Sequence, residues 1–400
     1  MVTLEEARAR LLSMARPLPI EMVRLADALG RPLAAAVTAR RTQPPAALSA
    51  MDGYAVRAAE APGPWRIAFA QAAGAPPPPA LAPGEAVRIF TGAMLPEGAD
   101  AILIQEEAEA DRQALRVRPG ADLRPGLHVR PAGQDFRAGD PLLAPGEPLT
   151  PAAIGLAAAM GHARLPVRAR PRVALLATGD ELVPPGDPLP GPGRIVDCAR
   201  PMLAALLAGR AEVTDLGIAP DRPEAVAQAI ETARGADLLV TIGGASVGEH
   251  DLVRPALLAA GGTIELWKVA IRPGKPLIIG TLGQTLVMGL PGNPASAFAT
   301  GLLFLLPLLR AMAGHARPVP AETPARLAVA LPANGARRDH LRGRMQWRGA
   351  ERWVTPLPVQ DSGMLSPVAA ADALLVREAG AGPAAVGDLV FVLDTDSRDS

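Results

Sequence analysis

Short strand-like runs, several of them largely apolar, alternate with stretches of helical period through the middle of the chain. Residues 173–177, 212–216, 237–242 and 264–268 predict strands, and residues 202–207, 221–234 and 252–260 predict helices. Asp221 stands where an N-cap would, with Glu224 three residues on. Strands that alternate with helices predict a parallel, doubly wound sheet, with ligands received at the C-terminal strand ends. Two more apolar runs, 277–279 and 285–288, precede LPGNPASA, which opens a helix at Ala295. That apolar stretch, 295–309, is interrupted by Ser296, Thr300, Gly301 and Pro307. It falls short of the roughly 20 residues a bilayer span needs, so a buried helix is expected and no membrane span.

The pattern changes on both sides. Residues 3–15 place Leu4, Ala7, Leu11, Leu12 and Ala15 on one helical face, with Thr3 as cap and Glu6 as its capping-box partner. Residues 149–160 predict a second helix, capped by Thr150 with Pro151 at its first position. Between them, residues 65–140 mix short apolar runs with Pro/Gly turns, as a small β-rich domain does. Past residue 317, LAVAL, MQWRG, WVTPL, ALLVRE and LVFVLD alternate with turns and predict a separate C-terminal β domain.

Composition narrows the function classes. Four hundred residues suggest two to four domains, and 40 Lys+Arg against 40 Asp+Glu give a formal charge of zero. That balance argues against a general nucleic-acid or membrane-surface binder, so any anion site is local. Cys198 is the only cysteine, which rules out an intrachain disulfide, and the five histidines never pair at zinc-ligand spacing. The charged start MVTLEEARARLLSMA is unlike a signal peptide, and a cytoplasmic location is expected.

Candidate chemistry gathers at the predicted strand ends. TIGGASVGEHD, residues 241–251, is a glycine-rich strand-to-helix turn that offers backbone donors at Gly243, Gly244, Ser246 and Gly248, followed by Glu249 and Asp251. TGDEL brings Asp180 and Glu181, RPGKP brings Arg272 and Lys275, and LPGNP brings a helix start with Asn293 and Ser296. Cations that neutralise phosphate or oxyanion charge beside carboxylates able to hold Mg²⁺ suit an anionic, phosphate-bearing ligand. Upstream, Asp52 in SAMDGYAV, Thr91 and Asp135 read locally as turn residues or ligand contacts.

SAMDGYAV, TGAMLPEGADAIL, ATGDEL, GGASVGEHD, IRPGKP and GLPGNPASA occur in the order found in molybdopterin molybdenumtransferases, and over essentially its whole length the chain resembles this MoeA family, whose animal relatives include gephyrin. The resemblance implies a multidomain α/β fold: a linking domain (1–43 and 138–168), a β-rich inserted domain (44–137), a doubly wound molybdopterin-binding domain (169–316) and a C-terminal β-barrel-like domain (317–400). It implies insertion of molybdate into adenylylated molybdopterin with Mg²⁺-dependent release of AMP, by a homodimer with a composite active site. Contacts with molybdopterin adenylyltransferase and with cofactor-accepting enzymes are expected. Carried over by motif, Asp52, Thr91, Asp135, Glu181, Asp221, Asp251, Lys268, Arg272, Lys275, Pro291 and Pro294 match functional positions. Lys275, Pro276 and Ser296 resemble a molybdate cradle, and Arg344 and Ser362 its contacts from the last domain. The glycine loop and Arg272 would hold phosphates, Asp221 and Asp251 Mg²⁺ or water, and Asp52 and Thr91 would reach the cleft across the dimer. Where relatives carry Ser or Thr and then Asn before Arg, this chain reads Asp197-Cys198-Ala199-Arg200, which removes a polar amide from a loop near the nucleotide. The alternatives are a molybdopterin adenylyltransferase and a gephyrin-like scaffold.

Overall fold

A computed structural model describes residues 1–111, 114–187, 191–244 and 252–395. Ser246, Gly248, Glu249 and Asp251 therefore lie outside the described residues.

The first helix, α1 (Leu4–Met14), carries the complete capping box, with Thr3 and Glu6 each accepting from the other's backbone amide. Its apolar face is buried against the central sheet domain rather than the neighbouring strands. The following strand Ile20–Arg24 pairs antiparallel with Arg164–Arg168, and helix α2 (Pro151–Ala159) starts at Thr150 and Pro151. Leu33, Val37, Phe136, Met160 and Val167 share one core, so segments on both sides of the inserted residues close on each other. The insertion builds a four-stranded sheet in the order Arg66–Gln71, Glu85–Ile89, Gly53–Val56, Ala101–Ile104.

The central sheet contains β1 (Arg172–Thr178), β2 (Glu212–Ala219), β3 (Leu238–Ile242), β4 (Thr263–Lys268), β5 (Pro276–Leu282) and β6 (Thr285–Leu290), in the order β2-β1-β3-β6-β5-β4. β2, β1, β3 and β6 run parallel, while β5 and β4 form an antiparallel edge. A two-residue link between β5 and β6 permits only antiparallel pairing. Alternation sorts the two faces. Val173, Leu175, Leu238 and Val240 meet α3 (Ala199–Leu207), α1 and the long helix beginning at Pro294, whereas Ala174, Leu176 and Leu239 meet α4 (Pro223–Thr232) and α5 (Val253–Ala259).

The apolar helix predicted from residue 295 runs from Pro294 to Met312. It is long and apolar enough to cross a membrane by length and composition, yet 83% of its apolar window is buried inside the protein. Its residues Gly301–Leu305 form a π turn just before Pro307, which has no N–H to give the preceding turn. The Arg8 Nε donates to the Leu303 carbonyl at 3.1 Å and so occupies an acceptor beside the irregularity.

The last domain is a closed five-stranded barrel of β7 (Thr323–Leu327), β8 (Arg338–Arg348), β9 (Glu351–Pro356), β10 (Ala373–Arg377) and β11 (Leu389–Asp394), joined as β8-β9-β7-β11-β10-β8. The short strand Ile271–Arg272 pairs parallel with β8 and attaches the barrel to the sheet domain.

His340 of β8 is fully buried and neither ring nitrogen has a partner. Burial, reinforced by the positive Arg338 and Arg8, pushes its pKa from 6.5 down to about 3. The unfolded chain takes up a proton at this histidine below about pH 6.5, and the fold refuses it until about pH 3. Stability is therefore fully present above 6.5 and is lost as pH falls through that window. Thermal melts from pH 7 to 4.5 should show a shallower decline in His340→Leu than in the wild type, and parallel declines would contradict this assignment.

Candidate active site

Several loops meet at the C-terminal ends of the parallel strands, around a cavity of about 940 Å³. β1 delivers Glu181, and β3 delivers Gly243 and Gly244. Gly243 has φ +89°, and an added Cβ would lie 2.9 Å from the Thr178 carbonyl oxygen, so only glycine lets the two loops approach. The edge strands hold Arg272, Lys275 and Pro276, while Pro291, Pro294 and Ser296 come from the start of the long helix. The barrel supplies Ser362. Its carbonyl accepts from the Ala295 amide at 3.1 Å and its hydroxyl from Asn293 Nδ2 at 3.3 Å, tying the barrel loop to the helix N-terminus.

Asp221 does not cap α4: the N-cap is Arg222, with no side-chain bond. The Asp221 carboxylate instead accepts from the Asp180 amide at 3.3 Å, and Asp180 accepts from the Asp221 amide at 3.1 Å. This reciprocal pair stands beside Glu181 at the strand ends, outside the cavity lining. Lys268 is exposed at the end of β4, paired in register with Pro276, and is also outside the lining.

Arg344 lies away from the cavity. β8 pairs with β10 only as far as Gly343, and beyond it the strand continues exposed as a ribbon with β9. Arg342, two residues earlier, is buried and donates through Nη2 to the Asp361 carbonyl at 3.1 Å, directly behind Ser362. Gln360 clamps the same loop, accepting from the Arg342 amide and donating to the Arg342 and Leu357 carbonyls. Arg337, Gln360 and Asp361 also face the cavity, and the sequence motifs did not single them out for that role; Asp197, in the loop read as lying near the nucleotide, lines it too.

Arg272 is bound to Asp339, a buried carboxylate on β8. The parallel pairing of the two residues' strands sets this contact. Asp339→Asn should loosen Arg272, raising the KM for a phosphate-bearing substrate about three- to tenfold with a smaller change in kcat. Because Arg272 is itself mostly solvated, the thermal midpoint should move little. Unchanged KM would contradict the tether.

Beneath the cavity, Arg200 binds Asp197, at 2.8 Å from Nε, and Asp215. Burial alone would lower the Arg200 pKa, and the two carboxylates more than reverse that. Cys198 lines the cavity with its thiol pKa pushed up by burial, and Ala199 opens α3 at the same wall.

Asp52 and Thr91 form a unit of their own. Asp52 precedes the strand Gly53–Val56 and Thr91 follows the strand Glu85–Ile89, whose paired ends place Gly53 opposite Ile89, so the two loops adjoin. The Thr91 amide and hydroxyl donate to Asp52 Oδ1 at 2.7 and 2.8 Å, and these bonds, the amide's first, hold the carboxyl below its usual range. Asp135 lines another, smaller hollow with Gln43, Pro44 and Arg130. None of the three lines the large cavity of its own chain.

A doubly wound sheet whose strand-end loops bring glycines and the cations Arg272 and Lys275 around one cavity, completed by a loop from a β-barrel, is the class that fold and site define. Family models match in chain order: the MoeA N-terminal region (domain I and II) over residues 2–161, the probable molybdopterin binding domain over 174–311, and the MoeA C-terminal region (domain IV) over 324–395. The molybdopterin molybdenumtransferase of Haemophilus influenzae is 36% identical over 325 residues, covering 79% of this chain and 78% of the relative. That of Bacillus subtilis is 30% identical over 408 residues, covering 98% and 94%. The crystal structure of the molybdopterin biosynthesis MoeA protein from Pyrococcus horikosii matches with TM-score 0.83 at 31% identity, covering 99% of this chain and all of that one. The chain belongs to the MoeA family and is an enzyme of molybdenum cofactor biosynthesis.

Proposed function

We infer that this protein inserts molybdate into adenylylated molybdopterin and releases AMP. The observation that carries the reading is the meeting of Lys275, Ser296 and the Gly243–Gly244 turn with the barrel's Ser362 around one cavity. A tetrahedral dianion needs a cation and several donors, and Lys275 with the Ser296 and Ser362 hydroxyls supplies them. The glycine turn and Arg272 hold the phosphates, and Glu181 is available to accept the proton of a water attacking the phosphoanhydride. Breaking that bond releases AMP as the leaving group.

Mg²⁺ fits the acidic pair. Asp180 and Asp221 each use one carboxylate oxygen on the other's amide, and each keeps a second oxygen at the strand ends. Among the described residues no three acidic, His or Cys side chains gather as a closed metal cage. One or two carboxylates completed by phosphate oxygens and water is the arrangement Mg²⁺ prefers. When bound, it would neutralise phosphate charge and stabilise the leaving AMP.

The same reading proposes a homodimer in the cytoplasm, in which the Asp52–Thr91 unit of one protomer reaches the cavity of its partner. It also proposes handover of substrate from an adenylyltransferase and of product to cofactor-accepting enzymes. Incubation with molybdopterin and MgATP, without molybdate, separates this activity from adenylyl transfer. No adenylylated product is expected, and its accumulation would contradict the assignment.

A further inference from the structure

One irregularity of the central sheet stands just behind the cavity wall. On β1, Leu175 and Ala177 are two residues apart, yet their partners on β2, Asp215 and Ile218, are three apart, so β2 carries one extra residue at a bulge. Gly217 lies in it with φ +80°, and an added Cβ there would meet open space, so the backbone angle and not crowding calls for glycine. The bulge reverses the alternation of faces. Val213 packs on the α3 side of the sheet, whereas Ala219, six residues on and of the same parity, is buried on the α4 side with Leu216. The bulge thereby sets the strand end: Ala219 pairs with Thr178, its carbonyl accepts from the Gly179 amide at 3.3 Å, and two residues later Asp221 meets Asp180.

The clamp on this bulge comes from α3. Asp215 accepts from the Gly217 amide at 2.9 Å and receives the Arg200 guanidinium on both carboxylate oxygens. Arg200 is buried, and Asp197 sets its direction by accepting from its amide at 3.1 Å and its Nε at 2.8 Å. Asp197 is itself buried and lines the cavity. A planar guanidinium holds two carboxylates in fixed directions, as a single ammonium would not. One rigid side chain therefore joins the cavity wall to the bulge, and the reaction proposed above uses neither Arg200 nor Asp215.

We propose that Arg200 and Asp215 form a positioning pair, which holds the β2 bulge from the cavity wall and so fixes the Asp180 and Asp221 carboxylates at the strand ends. The consequence for Mg²⁺ rests on the proposed reaction, while the geometry belongs to the chain alone.

Asp215→Ala tests the pair, because the position is exposed and Arg200 keeps Asp197 as its partner. Hydrogen exchange by mass spectrometry on the metal-free full chain should show peptides spanning residues 178–182 and 219–222 exchanging about tenfold faster, with β3 unchanged and the thermal midpoint little moved. The Mg²⁺ concentration for half-maximal AMP release should rise about tenfold with the molybdate KM unchanged. Asp215→Asn keeps an acceptor for Gly217 but loses the charge that holds the guanidinium, and should fall between the two. Unchanged exchange at the strand ends, exchange raised equally through the whole sheet, or a lower kcat with an unmoved Mg²⁺ requirement would overturn the proposal. A wild-type protein that releases AMP without Mg²⁺ would instead contradict the proposed reaction, and the exchange rates would still decide whether the pair positions the strand ends.

Discussion

Lys275→Ala is expected to lower molybdate-dependent AMP release by about two to three orders of magnitude, the usual effect of removing one preorganised donor from a developing or bound oxyanion. The loop holding Lys275 is fixed independently of its side chain: the Val269 amide donates to the Lys275 carbonyl at 2.8 Å, and Pro276 begins β5 in register with Lys268. The exposed ammonium group is therefore free of structural duty, and the variant should fold normally. Lys275→Arg keeps the charge but replaces a compact ammonium with a planar fork, so intermediate activity is expected. A rise in the molybdate KM with an unchanged KM for the nucleotide substrate would locate the loss at the oxyanion. Equal effects on both would move Lys275 to the phosphates.

Gly274→Ala is the second large effect. Gly274 sits at φ +102°, and an added Cβ would come within 2.5 Å of Thr300 Cγ2. Thr300 cannot retreat easily, because it is fully buried and its hydroxyl donates to the Ser296 carbonyl at 2.7 Å. Either the RPGKP loop or the start of the long helix must shift, and both carry residues that line the cavity. Strain of about 1–3 kcal/mol is expected, and an ångström of displacement between Lys275 and Ser296 should cost about a hundredfold in kcat. Thr300→Ser removes the clashing methyl while keeping the hydroxyl, so the double variant should regain part of the activity, with the φ penalty remaining. Wild-type kcat in Gly274→Ala would show that the loop and helix need not be held together.

Much of this architecture was legible because it rests on local pattern. The central parallel strands β1 and β3 read as apolar runs since both of their faces are covered, and the caps at Thr3 and Thr150 follow from residues three positions apart. What escaped depends on distant partners. Asp221 looked like a helix cap, but a loop 41 residues earlier offers it the Asp180 amide. That Arg342 rather than Arg344 backs the Ser362 loop turns on where β8 parts from β10, which alternation cannot show, since both positions share one face parity. Arg337 and Gln360 reach the cavity only because the strand Ile271–Arg272 docks the barrel there. The packing of α1 on the sheet domain likewise joins elements far apart in the chain.

The most direct test of the central claim is AMP release by the purified protein supplied with adenylylated molybdopterin and Mg²⁺, with and without molybdate. AMP should appear in step with active cofactor only when molybdate is present. AMP release that is absent, or that proceeds at the same rate without molybdate, would contradict the account.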